Sequence, residues 1–518
     1  KLTLPTSLQS IGPSAFQNCT SLTQLTLPSA SIVSVSGILT KKDSQIITAT
    51  STTSLKAGMR IQGEGVPYGS VVNSVDSATQ LTCNTKASLD QSNKTLSFFT
   101  PLVLGSNAFN GCSNLTSAVI PNTVSVPTGS NAFSNCTSLK DLQVDGAVGL
   151  PDGLLASQVT TLAILEGSTS IRDSAFQGCS KITKIAFPAS VTTLGKACFA
   201  DCSLLLSIQL PSLLVDIPDS AFANCASLPS ISIPQTVKTI GDSAFKGCTA
   251  IKTLTLQSPP SLESIGNFAF AGCTALTSIS LPSSLANIGA SAFLNCTSLS
   301  TVSLPANATS FAIGASAFQN WASIASINIP TATSSVGNSA FQNCANLGLG
   351  EVVLTGSNTQ FGLDVFLGCP NLKTLTINGK VGLPPGVDRS KVESVKIDPS
   401  STSISGNAVK GCTALTTVLI PNGISAIEEG AFVGCTQLRQ VDLPETLETI
   451  GKSAFSGCSS LTSITLPNSL TTIGAFAFQN CSKILGINIP PKVTIIETSC
   501  FSGCAAAVSL ILPPNLTS

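Results

Sequence analysis

Residues 461–481 read LTSITLPNSLTTIGAFAFQNC, and residues 276–296 repeat almost the same phrase as LTSISLPSSLANIGASAFLNC. The shared pattern is Leu-x-x-Ile-x-Leu-Pro, a polar turn, Ile-Gly, Ala-Phe, two residues and Cys. It recurs about every 23 residues along most of the chain. A fixed period in this range is typical of a solenoid, because each repeat buries its apolar face only by stacking on its neighbours. We therefore predict a chain of stacked coils.

The cysteine that ends each phrase allows the coils to be counted. These cysteines are Cys19, Cys112, Cys136, Cys179, Cys202, Cys225, Cys248, Cys273, Cys296, Cys344, Cys369, Cys412, Cys435, Cys458, Cys481 and Cys504, and Trp321 occupies the same position. Most steps are 23 to 25 residues. Two steps of 43 residues, which start at Cys136 and Cys369, each predict one extra, degenerate coil. The total is about 19 coils.

A longer period is superimposed on the coils. Residues 136–151 read CTSLKDLQVDGAVGLP, and residues 369–384 read CPNLKTLTINGKVGLP. The offset between them is 233 residues, and four further cysteine pairs keep it. A block of about ten coils has therefore been duplicated, as expected for a protein selected for length.

Each phrase predicts two short strands and a turn. The apolar residues Leu461, Ile464 and Leu466 alternate with polar ones near the end of their phrase, which indicates a strand with one buried face. Pro467 ends it, because proline cannot donate to a strand ladder. Stacked coils place such strands side by side as a parallel sheet, about 4.8 Å apart. Ile473 begins a second short segment, and the Phe of Ala-Phe-x-x-Cys fills the core from a tight or helical turn.

These phrases resemble the BspA-like leucine-rich repeats, whose motif is Ile-Gly-x-x-Ala-Phe-x-x-Cys-x-x-Leu-x-x-Ile-x-Leu-Pro. The resemblance covers residues 1–36 and about 101–518. It implies a leucine-rich repeat solenoid: a curved right-handed coil with a parallel β-sheet on the concave face and short turns or helical turns on the convex side. Family members resemble surface proteins associated with adhesion, and the family offers no catalytic residues to carry over.

Residues 37–100 interrupt the period. They contain the only Met and the only Tyr of the chain, Met59 and Tyr68. Alternating stretches such as IITAT and TLSFF, separated by Gly and Pro turns, predict a small inserted all-β module. Its phrase around Gly58–Val71 resembles β-modules of phage tail fibres and large adhesins. The alternatives are an interaction module and a tolerated loop insertion. The predicted organisation is 1–36, 37–100 and 101–518.

The composition argues against several classes of function. Net charge is zero with 25 basic and 25 acidic residues, so the chain has no basic surplus for nucleic acid. Mean hydropathy is +0.40, but no stretch is long and apolar enough to span a membrane. The chain contains no His, the commonest general base and a common metal ligand. We expect a non-enzymatic protein without metal or cofactor.

Cysteine and sequon positions leave alternatives open. One Cys per coil at a core position favours buried free thiols, since free Cys packs as a small hydrophobe. In KACFADC and TSCFSGC a second Cys replaces the usual Ala, so local disulfides Cys198–Cys202 and Cys500–Cys504 are candidates. Sequons in Asn-Cys-Thr/Ser favour a backbone role for the Asn, because Gly often replaces it. Asn93 and Asn307 are the candidate glycosylation sites.

The surface proposed to matter is the outward face of the repeated strands. Its candidate residues are Thr253, Thr255, Thr277, Ser278, Ser280, Thr301, Ser303, Thr374, Thr376, Thr462, Ser463 and Thr465. Hydroxyls at a 4.8 Å spacing are suited to a polysaccharide, another protein or ice. The alternative is that Thr is simply a good strand residue. Charged residues such as Lys140 and Arg439 interrupt the array, which argues against a uniform ice-binding face.

These observations lead to a preferred hypothesis and two alternatives. The repeat number, the duplication and the absence of polar caps predict an extracellular structural or adhesive protein, a segment of a longer cell-surface fibre or a filament subunit. Its partners would be copies of itself or a surface protein or glycan. The first alternative is a recognition module that binds glycan or host protein through the concave Ser/Thr face. The minor alternative is ice binding.

Overall fold

A computed structural model describes residues 1–63, 66, 70–306 and 308–517. Tyr68 and Asn307 lie outside these ranges, as do four other residues of the inserted phrase. The chain divides into two compact units, Lys1–Val237 and Lys238–Ser518. Each unit is built from stacked coils, and most coils contribute one strand to each of two rows.

The first strand row contains the strand that follows Cys-x-x-Leu. In the first unit its strands are Leu2–Thr3, Gln24–Thr26, Ser117–Ile120, Asp141–Val144, Thr161–Ile164, Lys184–Ile185, Ser207–Ile208 and Ser230–Ile233. In the second unit they are Thr253–Leu256, Ser278–Ser280, Thr301–Ser303, Ile327–Ile329, Val352–Leu354, Thr374–Ile377, Ser394–Ile397, Thr417–Leu419, Gln440–Val441, Ser463–Ile464, Gly486–Asn488 and Ser509–Ile511. Paired strands are parallel and in register, as Leu142 with Ala118 and Leu162 illustrates.

The second strand row contains the strand that ends at Ile-Gly. In the first unit its strands are Ser10–Ile11, Leu102–Leu104, Val124–Ser125 and Asp216–Ile217, with a bridge between Ser170 and Thr193. In the second unit they are Thr239–Ile240, Ser264–Ile265, Asn287–Ile288, Phe311–Ile313, Thr333–Val336, Gln360–Phe361, Ser403–Ile404, Ala426–Ile427, Thr449–Ile450 and Thr472–Ile473. The predicted solenoid with parallel sheets is confirmed.

The turn between the rows is not helical. Among the described residues, helix occurs only as two 3₁₀ turns, Ala156–Gln158 and Arg389–Lys391, which occupy the two degenerate coils. They stand 233 residues apart, so the duplication inferred from the sequence is also a duplication of local structure. In complete coils the turn is fixed by the Phe, whose rings stack coil on coil. In the second unit the centroids of Phe245, Phe270, Phe293, Phe318 and Phe341 follow one another at 5.1 to 5.7 Å.

Neighbouring coils approach closely at the glycine of the Ile-Gly phrase, as Gly314 illustrates. A Cβ at Gly314 would lie 2.6 Å from the backbone N of Ala290, a distance that real Cβ atoms do not show. The Gly314 N–H donates to Ile288 O at 2.8 Å across the same contact. A side chain at this position would push the two coils apart.

The inserted all-β module is a six-stranded antiparallel sheet. Its strands, in sheet order, are Arg60–Gln62, Gln91–Phe99, Val33–Thr40, Ile46–Thr48, Gln80–Cys83 and Val72–Ser77. It has its own apolar core, in which Met59 and Phe98 are buried. The sheet begins at Val33, ahead of the predicted boundary at 37. The three segment boundaries and the likeness to tail-fibre modules stay predictions.

Candidate functional site

The hydroxyl face is the outward surface of the first strand row in the second unit. All twelve candidate residues lie on these strands or directly next to them in the sequence. Eleven are exposed, and Thr376 is half-buried. They alternate with buried Ile and Leu because successive side chains of a strand point to opposite faces. Thr253 pairs with Ser278 and Ser278 with Thr301, while Ser280 pairs with Ser303. One registered row of hydroxyls therefore runs across three coils, and a second joins two of them.

Two of the twelve candidates are structural. The Thr277 hydroxyl donates to Lys252 O at 3.4 Å, and the Thr462 hydroxyl donates to Arg439 O at 3.2 Å. Both acceptors are carbonyls of the preceding coil. Within the described part of the chain, the hydroxyls of the other ten have no hydrogen-bond partner. Those ten remain available to a ligand, and sequence reasoning could not separate the two groups.

Hydroxyls also join coils away from this face. At the second residue after the strand proline, Ser284 and Thr446 donate to Leu262 O and Ile424 O at 2.8 and 2.9 Å. Two residues further on, Thr192 and Thr471 donate to Thr169 O and Glu448 O at 3.4 and 3.0 Å. Much of the Ser and Thr content therefore contributes to stacking.

The phrase-ending cysteines form a ladder of buried donors. The Cys296 thiol donates to Phe270 O at 3.2 Å, and the Cys458 thiol donates to Phe432 O at 3.2 Å. Burial raises the pKa of the Cys179 thiol to about 12. Thiols with such a pKa are poor nucleophiles at neutral pH, because the thiolate is the reactive form.

The two candidate disulfides fall within this ladder. Cys198, Cys202 and Cys500 are buried free thiols, and Cys504 is a half-buried one. The Cys202 thiol donates to Phe176 O at 3.4 Å, and the Cys504 thiol donates to Phe478 O at 3.3 Å. Burial raises the pKa of Cys500 to about 12. The two local bridges stay predictions, which a count of free thiols tests.

The residue before each ladder cysteine has left-handed backbone. Its φ is +57° at Asn135 and +77° at Gly178, which explains why Asn and Gly alternate there. The amide of Asn135 also donates to Asn110 Oδ1 at 3.0 Å. Asn93 is exposed on the module, at a bulged strand position with φ +54°. Glycosylation of Asn93 and of Asn307 stays a prediction, and Asn307 lies outside the described residues.

A cleft lies between the inserted module and the second strand row of the first unit, and sequence reasoning missed it. Its volume is about 760 Å³. The module is held above the coils by Arg60, whose guanidinium donates to Ser125 Oγ at 3.0 Å, and by a hydrogen bond between Asn122 and Gln62. Leu89 on one side and Leu213 and Val215 on the other line the cleft, each about half exposed.

A comparison between the two copies of the duplicated block indicates this cleft. In the duplicated block, 233 residues later, the equivalents of Leu213 and Val215 are Thr446 and Glu448. Both replacements are exposed and polar. The aliphatic residues are therefore a property of the first block, which faces the module.

Comparison with known families settles the class of the repeat. The model of the BspA type leucine-rich repeat region matches residues 1–56, 93–149, 155–262, 263–382 and 388–517. These ranges cover well over half of the chain. The chain belongs to the BspA-type leucine-rich repeat family. A search of the curated proteins gives no significant match.

Solved structures similar to this family member include three bacterial proteins. A leucine-rich repeat protein from Bacteroides ovatus is 30% identical, over 62% of this chain and 83% of its own, with a TM-score of 0.39. A leucine-rich cell surface protein from Faecalibacterium prausnitzii is 22% identical, over 80% and 83%, with a TM-score of 0.31. The pneumococcal vaccine antigen PcpA is 21% identical, over 59% and 71%, with a TM-score of 0.26.

Among the described residues, no three or more Cys, Asp and Glu side chains gather in a way that could hold a metal ion. The same residues include no helix long and apolar enough to cross a membrane.

Proposed function

We propose that this chain is a non-enzymatic, extracellular adhesive protein whose contact surface is the hydroxyl face. The observation that carries the proposal is the register of Thr253, Ser278 and Thr301, which presents exposed, unpartnered hydroxyls on three successive coils. Hydroxyls both donate and accept, so such a row is suited to glycans and to polar protein surfaces. A cell-surface relative among the solved structures is consistent with this location.

Substitutions on the hydroxyl face test the proposal. The variant Ser280→Arg/Ser303→Arg places two bulky charges in one registered row. The control Ser298→Arg places the same charge on an exposed turn residue outside the face. We expect the wild-type chain and the control to bind members of a printed glycan array or a panel of immobilised surface proteins. We expect the double variant to lose that binding, and equal binding by all three proteins would reject the face as the contact.

We further propose that the chain is part of a longer fibre or assembles into filaments. Backbone bonds between strands, stacked Phe rings and thiol donors join coil to coil at one repeating spacing, an arrangement suited to extension. Negative-stain electron microscopy of native material tests it. Filaments or long rods that contain this chain are the expected result, and isolated short particles at high concentration would oppose it.

Recognition of a glycan or host protein is the second candidate, and the ten unpartnered hydroxyls favour it. Ice binding fits the face less well. Thr376 pairs with Lys396, and Lys396 pairs with Leu419, so this row changes from hydroxyl to ammonium to exposed aliphatic within three coils. A thermal-hysteresis measurement should give no activity.

A further inference from the structure

We propose that the cleft between the inserted module and the second strand row binds an extended peptide segment with aliphatic side chains. This site lies on a different strand row from the hydroxyl face and does not rest on the adhesive role proposed above. Its volume of about 760 Å³ is in the range of specific ligand sites.

The coil at residues 202–218 gives up stabilising bonds at the cleft. Where other coils carry a hydroxyl that donates to the preceding coil, this one carries Leu213 and Val215. The equivalent of Leu213 is Thr446, which donates to Ile424 O at 2.9 Å. Leu213 and Val215 cannot donate, and their side chains are 58% and 47% exposed. A position that lacks the bond made in other coils, with no other stabilising contact in its place, is typical of a functional site.

The aliphatic residues Leu213 and Val215 occur in the copy of the duplicated block that faces the module, and not in the other copy. The duplicated block repeats the coil at residues 435–451 with polar residues at the same positions and has no insertion at the corresponding place. Across the cleft, the module contributes a third aliphatic side chain, Leu89, which is 47% exposed. Exposed aliphatic residues on both walls of one cleft indicate an apolar ligand surface.

Two hydroxyls of the coils favour a ligand that carries hydrogen-bond donors. The Ser190 hydroxyl donates to Ser168 O at 2.7 Å, and the Thr192 hydroxyl donates to Thr169 O at 3.4 Å. Both protons are therefore committed to the coils, so these two hydroxyls offer a ligand only oxygen lone pairs. Donors on a ligand would match them. Peptide N–H groups are such donors, and aliphatic side chains would fill the space between Leu89 and Val215.

The dimensions and the lining favour a peptide over a glycan. The cleft extends from Asn122 to Asp216 over four coil steps, which is roughly 19 Å at the usual strand spacing. An extended peptide of about six residues has that length. Among the lining residues that the structure describes, the only aromatic side chain is Phe99, which is 3% exposed, so no ring is presented to a sugar face.

The experiment uses the full chain on a printed array of hexapeptides, with a glycan array in parallel. The test variant Leu213→Thr/Val215→Glu copies the residues of the duplicated block, so it introduces side chains that this repeat already accommodates. The control Leu204→Gln/Leu206→Arg also copies that block, but its exposed leucines lie beside the first strand row. A second test variant, Leu89→Asp, changes the opposite wall and keeps the test valid if the first variant folds poorly.

We expect the wild-type chain to enrich hexapeptides with aliphatic side chains at alternate positions. The affinity for the best of them should fall at least tenfold in Leu213→Thr/Val215→Glu and in Leu89→Asp, and should not change in the control. Three results would overturn the proposal: no enriched peptide, equal binding by the test variants, or a preference for glycans that the same variants abolish. Loss of hydroxyl-face binding in Ser280→Arg/Ser303→Arg has no bearing on it.

Discussion

The indole N–H of Trp321 donates to the carbonyl oxygen of Phe293 at 2.8 Å, the same bond that a thiol makes in neighbouring coils. Cys296 donates to Phe270 O at 3.2 Å, and Cys344 donates to Phe318 O at 3.3 Å. Trp and Cys both carry one hydrogen-bond donor, an indole N–H or a thiol S–H, on a largely apolar side chain. The position therefore selects a buried donor for the Phe carbonyl of the preceding coil, and burial alone does not define it.

Removal of that donor should destabilise the stack. In Cys296→Ala the buried carbonyl of Phe270 loses the thiol donor and keeps only the Cys273 N–H at 3.1 Å. Loss of one such hydrogen bond costs about 0.5–1.5 kcal/mol. Cys296→Ser loses the same sulfur contacts but keeps an O–H donor, so we expect it to retain more stability than the Ala variant. Urea unfolding followed by circular dichroism compares the two. An Ala variant as stable as the Ser variant would contradict the role of the donor.

The reactivity of the thiols should follow their burial. Cys19 is exposed, whereas burial raises the pKa of Cys136 to about 12. We expect a thiol reagent at pH 8 to label Cys19 rapidly in the native protein and to leave Cys136 unlabelled until denaturant is added.

Denaturation without a reductant then tests the predicted bridges. All 19 cysteines should react if the ladder consists of free thiols. Each local bridge, Cys198–Cys202 or Cys500–Cys504, would remove two thiols from that count, and peptide mapping would identify the pair.

The core positions and strands that recur in every coil could be predicted from the sequence. Contacts between residues far apart in the chain could not. Phe293 in the core and the strand at Ser463–Ile464 follow from the alternation and the period. The bond from Thr462 to Arg439 O spans one whole coil, so the sequence alone does not reveal it. The contact of Arg60 with Ser125 depends on how a non-repeated module packs, and no period predicts it.

A methyl group at the Ile-Gly glycine should weaken the contact between coils. In Gly314→Ala the new Cβ would lie 2.6 Å from Ala290 N, so the backbones have to separate. Overpacking of this kind costs about 1–3 kcal/mol. Gly12→Ala is the matched control, because Gly12 ends the same Ile-Gly phrase and has nothing within 4 Å of its added Cβ. The midpoint of urea unfolding should fall for Gly314→Ala alone, and equal midpoints would argue against steric contact.

The buried carboxyl of Asp145 should make stability depend on pH. Asp145 is 3% exposed, and burial raises its pKa, although the Ala147 N–H and the Ser168 hydroxyl donate to it and oppose that rise. A raised folded-state pKa means that the protonated form is favoured in the fold. The stability that the protonated Asp145 contributes is complete below the ordinary pKa of an Asp carboxyl. It is lost as the pH rises through the folded-state pKa of Asp145.

Asp145→Asn should remove this dependence and increase stability at pH 7. The duplicated block supplies the precedent, because the equivalent residue there is Asn378, which is 2% exposed and accepts the Lys380 N–H at 3.0 Å. Urea midpoints at pH 4 and pH 7 measure the effect. We expect the difference between variant and wild type to be larger at pH 7 than at pH 4, because a raised Asp145 pKa makes the wild-type chain lose stability as the pH rises. A variant less stable than the wild type at pH 7 would show that the carboxylate stabilises the coil through its two hydrogen bonds.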